Sequence, residues 1–461
     1  MTKEREGAGK LDLGEARIGP LLLRYAVPGM IAMLVSALYN IVDQIFIGNG
    51  VGVNGNAATN VAFPLTTLCT AVALLLGNGG AANFNLAMGA GEKEKAAKIA
   101  GNVITLLLSM GIFLCIAVNV FLDPLLHLFG ATEEVLDYAL EYTGITSFGF
   151  PFVILATGGS ALVRSDGSPR YSMACMLSGA VINTILDPLF IFHFHMGMAG
   201  AALATVLGQM VSGSMVLAYL LRFRTVRLKK RDFVLSGEKC LCIVRLGMSD
   251  LLNQLAMMLV QIVLNNTMTY YGAFSLYGKE IPLACAGIIS KVGMVFFSFI
   301  IGISQGMQPI VGFNYGAKKY GRVMQTYRLG LLAATAVSVC GFLCFQLFPR
   351  QIIGLFGSGS DSYFQFAERY FRIYMFATFL NGIQPVTSKF FSSIGKAPKG
   401  VILALTRQVL FLLPLILILP VFWGIDGVMF AGPIADTAAA VFSLLFIRRE
   451  FRKLRHREKS L

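Results

Sequence analysis

Four polar side chains fall within otherwise apolar stretches of this chain: Asp43, Asn183, Asp187 and Thr205. A carboxylate in hydrocarbon is expensive, so acids inside a membrane usually face a wet cavity and mark an ion or proton path. Asn183 precedes Asp187 by four residues. On a helix that spacing puts both side chains on one face, about 6 Å apart along the axis. Two carboxylates sharing a poorly solvated pocket repel each other, and either a proton or a hard cation with oxygen ligands relieves the repulsion. Asn183 and Thr205 would add neutral oxygens that suit Na⁺ and equally suit a protonated acid.

Elements that could hold such a pocket follow from composition. The 461 residues are 56% hydrophobic and 13% charged, with a mean hydropathy of +0.70. This leaves too little polar surface for a soluble globule. The chain reads as an all-α integral membrane protein. A crossing helix needs roughly 20 apolar residues, and twelve such runs lie near 21–46, 57–83, 102–122, 140–161, 171–192, 199–221, 246–271, 281–308, 323–347, 370–391, 398–420 and 426–447. Residues 1–20 contain no segment resembling a cleaved signal peptide.

Lys and Arg concentrate on the cytoplasmic side of membrane proteins. With both termini inside, 33 of the 38 basic residues fall in inner segments, Arg328 and Arg407 being taken as residues that snorkel to the inner surface. Only Lys279, Arg350, Arg369 and Arg372 lie outside, and Lys291 falls within a span. The net charge of +14 therefore reflects loops and a tail that face anionic lipid, and no nucleic-acid partner is implied.

The sequence repeats itself. Gly89–Lys93 matches Asn314–Lys318 at an offset of 225, and Leu128-Phe129-Gly130 returns as Leu355-Phe356-Gly357. Gly167 with Pro169 returns as Gly395 with Pro398, Gly197 with Gly200 as Gly424 with Gly427, and Arg222 as Arg449. Ordered matches imply duplication, with six spans in each half. Two six-helix bundles of the same orientation are related by a pseudo-twofold axis along the membrane normal. The predicted organisation is a lobe over 1–221, a cytoplasmic linker over 222–245, and a second lobe over 246–461 ending in a basic tail. A cleft between such lobes can open to either side by rocking, which is alternating access.

In this frame Asp43, Asn183, Asp187 and Thr205 all lie near the outer ends of spans 1, 5 and 6 and can share one pocket. Pro28 is expected to kink span 1, because proline removes a backbone donor and clashes with the preceding turn. Asp436 is a candidate negative charge in the cleft. Lys291 is a candidate gate or counter-ion towards the cytoplasmic half.

The sequence resembles the multidrug and toxic compound extrusion (MATE) family over nearly its whole length. The resemblance rests on Tyr39-Asn40-Ile41-Val42-Asp43-Gln44-Ile45-Phe46-Ile47-Gly48 in span 1 and Gln308-Pro309-Ile310-Val311-Gly312-Phe313-Asn314-Tyr315-Gly316-Ala317 after span 8. It is nearest to the MepA-like bacterial members, with an amino-terminal acidic site similar to that of the DinF-like branch. It implies cation-coupling roles for Asp43, Asn183, Asp187 and Thr205. The NorM-like branch places acids in helices 7 and 10, whereas the corresponding spans here hold only Asp250, at an inner end. The family implies a Na⁺- or H⁺-coupled antiporter without a cofactor, working as a monomer in the bacterial plasma membrane on lipophilic organic cations. Thirty-six Phe and 20 Met offer surface suited to such compounds. A lipid-linked sugar flippase of the same wider superfamily is a rival, but such proteins often have additional spans and a basic central cavity, and Lys291 is the only base assigned deep within a span here. A receptor or channel remains a further alternative. An enzyme would need a nucleophile with a base, or a metal cluster, and the sequence shows neither.

Overall fold

The computed structural model describes residues 13–278, 280–355 and 361–460. In hydrocarbon the backbone must satisfy its own polar groups, and among the described residues every regular element is helical. The first half comprises α1 (Ile18–Gly50), α2 (Val53–Gly89), α3 (Lys93–Val120), the short α4 (Leu122–Leu128), α5 (Glu133–Ser147), α6 (Phe150–Ser165), α7 (Pro169–Pro188) and α8 (Gly197–Leu220). The second comprises α9 (Gly237–Ala273), α10 (Glu280–Gly316), α11 (Tyr320–Leu347), the short α12 (Pro349–Gly354), α13 (Asp361–Tyr374), α14 (Ile383–Ser393), α15 (Ala397–Leu405), α16 (Leu413–Trp423) and α17 (Ile425–Lys459).

Ten of these helical stretches, counting α7 and α15–α16 each with its π-helical segment, are long and apolar enough to cross a membrane unaided. The fourth crossing is the pair α5 and α6, bent by 55° at its junction. The tenth is interrupted too, divided into α13 and α14 around a turn at 375–382. The twelve crossings thus form two bundles, with the fourth and tenth, equivalent by duplication, both interrupted. The termini of the described chain lie on one side, called here the terminus side; the opposite side is the far side.

Duplication is visible in the backbone. Left-handed φ values recur at Gly167 (89°) and Gly395 (79°), at Gly197 (56°) and Gly424 (58°), and at Gly91 (80°) and Lys318 (60°). Glycine is favoured where φ is positive because a Cβ is strained there, and Lys318 adopts such a φ as a non-glycine. The last pair, separated by 227 residues, corrects the offset of 225 read from the sequence: Gly91 corresponds to Lys318. Phe356 and Gly357 of the repeated motif, like Lys279 and the basic residues Lys3, Arg5 and Lys10, lie outside the described residues.

The lobe boundaries are less separate than the sequence suggests. One core joins Leu21, Leu22 and Tyr25 of α1 to Ile303, Met307, Val386, Phe390 and Leu454 of the second half. The segment 222–245 is tied down: Asp166 accepts hydrogen bonds from the backbone N–H groups of Arg224 (2.8 Å) and Thr225 (3.0 Å), and α9 already begins at Gly237. Another core, containing Ile47, Ala58, Leu126, Tyr142, Ile191 and Ala202, closes the far side of the first half and encases the polar pocket described next.

Candidate cation-coupling site

Tyr39 and Asp43 are one turn apart on α1, and Asn183 and Asp187 one turn apart on α7, so each helix presents two polar groups on one face. Thr205 comes from α8 and Tyr142 from α5. The amide of Asn183 satisfies both its ends when Nδ2 donates to Asp187 Oδ2 at 3.2 Å and Oδ1 accepts from the backbone N and Oγ1 of Thr205, both at 3.2 Å. The carboxyls of Asp43 and Asp187 lie close enough to act directly on each other. Asp187 is completely buried. Asp43 Oδ1 is buried with no hydrogen-bond partner among the described residues. The Tyr39 and Tyr142 side chains lie near both acids, Tyr142 also beside Thr205.

Two carboxylates cannot sit in contact without something positive between them. Among the described residues no Lys, Arg or His pairs with either acid. The pocket therefore has a place for one proton or one small cation, surrounded by carboxylate, amide and hydroxyl oxygens. Such a set suits a hard monovalent ion. Among the described residues no cluster of three His, Cys, Asp or Glu groups exists for a transition metal.

All four residues chosen from the sequence thus meet. Tyr39 and Tyr142 were missed. Tyr39 carried a signal, being four residues before Asp43 on the same face; Tyr142, in the bent fourth crossing, carried none. After Asp187, Pro188 supplies no backbone donor and the helix widens into a π-helical segment, Leu189–His193, a distortion common beside functional sites.

The second half behaves differently. Asp436 does not face the cleft as an open charge: it is 4% exposed and is held by Arg407, Nε to Oδ1 at 2.5 Å. Oriented to satisfy both groups, the Asn381 amide donates to both oxygens of Asp436, at 3.1 and 3.0 Å. Arg407 therefore does not snorkel. Its guanidinium stacks 5.5 Å from the Phe297 ring, and its helix is locally π-helical over Thr406–Leu412. A buried base paired with a buried acid is self-neutral and keeps no vacancy.

Pro28 is buried inside α1, whose helical run spans it from Ile18 to Gly50. One further expectation changes. Lys291 is on the far-side half of α10 rather than towards the terminus side, since α10 starts at Glu280 and runs back to Gly316. It lines a cavity of about 270 Å³ with Ile41, Gln44, Ile45, Gly48, Asn49 and Asn56.

The MatE family profile matches residues 28–189 and 252–418, in two blocks that follow the duplication. The chain belongs to the MatE family. It is 25% identical over 428 residues to the multidrug export protein MepA of Staphylococcus saprophyticus, covering 92% of each chain. It is 24% identical over 431 residues to MepA of Staphylococcus aureus, again covering 92% of each. Among solved structures it resembles an outward-facing multidrug resistance MATE transporter of the MOP superfamily, with TM-score 0.90, 26% identity, and coverage of 97% of this chain and 98% of that one.

This MatE protein is closed on the terminus side. There Asn78 of α2 donates to Asp250 of α9 at 3.0 Å, Lys389 of α14 pairs with the same carboxylate at 2.9 Å, and Gln308 of α10 donates to the Asn78 carbonyl at 3.0 Å. Gly29 of α1 lies so close to α10 that a Cβ there would stand 2.9 Å from the Gly302 carbonyl oxygen. On the far side α1 and α10 instead flank the cavity at Lys291. In this MatE protein α1 is a shared wall, with Asp43 on one face and Gln44, Ile45 and Gly48 on the other.

Proposed function

We propose that this protein is a secondary active multidrug exporter of the bacterial plasma membrane, working as a single chain and exchanging Na⁺ or H⁺ for amphipathic drug molecules, lipophilic organic cations among them. The terminus side is cytoplasmic. The export role is supported by relatives that are named multidrug export proteins and match nearly end to end; the orientation is supported by the basic inner segments and tail. The observation that supports the coupling is the closeness of two carboxyls that lack any basic partner among the described residues.

In the present conformation the cytoplasmic side is sealed by Asn78, Asp250, Lys389 and Gln308, and the drug cleft opens outward. Occupation of the acid pair drives transport because the ion binds one conformation better than the other; equal affinity would shift nothing. The element that senses it is α1, with Pro28 as the place where its backbone ladder lacks a donor. One charge crossing 100 mV supplies about 2.3 kcal/mol, which sustains roughly a 40-fold drug gradient. Arg407 adds no free base to the cleft, because it is paired with Asp436.

The test is efflux of a fluorescent organic cation from proteoliposomes with Na⁺ and pH gradients imposed separately. Export that depends on one gradient and collapses with it is expected. Dye movement that ignores both gradients would mark a facilitator and overturn the antiport reading.

A further inference from the structure

Lys291 is a charged group that neither the cation site nor the seal uses. It sits eleven residues into α10, about 16 Å along the axis from that helix's outer end. No carboxylate among the described residues pairs with it. It opens onto the cavity of about 270 Å³ whose other polar lining is Gln44, Asn49 and Asn56. Its side chain is exposed to that cavity, so its charge is open to a guest rather than tied to a protein partner.

We propose that Lys291 and these three amides bind an anionic group of the exported compound, a carboxylate or comparable oxyanion, so that amphoteric molecules are preferred over simple monocations of the same body. The ammonium and the amide N–H groups supply donors, and no acid lines the cavity to receive a cation. The volume is below that of a site that encloses a whole drug, so it seats one end of the molecule while the apolar body lies along the cleft. Asp43 does not compete for Lys291, because it points to the opposite face of α1. An anion held beside Gln44 and a cation held at Asp43 thus press on the same helix from two sides. This inference deepens the export reading and rests on it.

The test uses the full chain in lipid and two dyes with one ring system: a rhodamine with a free carboxylate and its ethyl ester. Wild type is expected to bind the acid at least about tenfold more tightly than the ester, by fluorescence anisotropy in nanodiscs, and to export it preferentially from proteoliposomes. Lys291→Met should reduce the preference to within about twofold while ester binding persists, and Lys291→Arg should retain it. An unchanged preference in Lys291→Met, or no wild-type preference at all, overturns the proposal. Preferential binding that Lys291→Met abolishes, but without gradient-driven movement of either dye, would uphold the anion site and sink the export reading instead.

Discussion

The ion pair between Arg407 and Asp436 allows the two lobes to be told apart quantitatively. Its side chains are 14% and 3% exposed and meet at 2.5 Å, with Asn381 completing the acid's shell. Arg407→Leu would leave a carboxylate buried with one amide for company, and Asp436→Leu would leave a guanidinium facing Phe297. Removing one member of such a buried pair costs about 3–5 kcal/mol, whereas replacing both by apolar residues is close to neutral or stabilising by about 1–4 kcal/mol. The two single variants should therefore each lose about 3 kcal/mol or more, and Arg407→Leu/Asp436→Leu should return to within about 1 kcal/mol of wild type. The assay is equilibrium unfolding of the purified protein in mixed micelles, read as a double-mutant cycle. The same double variant should keep ion-driven drug export. Additive losses in the cycle would refute the electrostatic argument, and a folded double variant without ion-driven export would show that the second lobe couples after all.

Other consequences concern the first lobe and the seal. Tyr142→Phe deletes a hydroxyl beside Thr205 and the two acids and leaves the ring in its core, so the apparent affinity for the coupling ion should fall about fivefold, the effect of losing about 1 kcal/mol of polar interaction, as read from the ion dependence of export. Lys389→Met leaves Asp250 with Asn78 alone and should loosen the terminus side; a cysteine placed at Gln308 should then react faster with a membrane-impermeant maleimide from that side. Gly29→Ala drives a methyl against the Gly302 carbonyl and should cost about 1–3 kcal/mol as an overpacking change, measured by unfolding in micelles, with the sealed state the one disfavoured.

The class of fold was legible because membrane helices announce themselves by length and apolarity, and ten crossings need nothing else. The fourth and tenth were legible only as approximate runs. The break after Tyr374 is a tertiary feature, a turn stabilised where Thr378 and Asn381 find partners, and no run of apolar residues marks it. Asp43, Asn183, Asp187 and Thr205 were legible because their cost in hydrocarbon singles them out and helical spacing fixes their depth. Asp436 and Lys291 were harder for one reason: cost identifies a buried charge, but only packing shows its partner. Arg407 lies close enough to a basic loop to look like a residue reaching for the surface, and the local π-helical geometry that turns it onto Asp436 leaves no mark in a hydropathy pattern. Lys291 was misplaced in depth because a long apolar run locates a span more loosely than its end residues do. The repeat was visible in glycines, yet its register became firm only with the positive φ values at Gly91 and Lys318.

The central claim is that Asp43 and Asp187 together hold one positive guest whose departure is tied to drug transport. Counting that guest tests it most directly: titration of Na⁺ into the detergent-purified protein by calorimetry, and proton release on drug addition in weak buffer, for wild type and for Asp43→Asn and Asp187→Asn. The account predicts one cation or one proton per wild-type chain, exchanged when drug binds, and none for either variant although both stay folded. Full exchange in the two variants would contradict it.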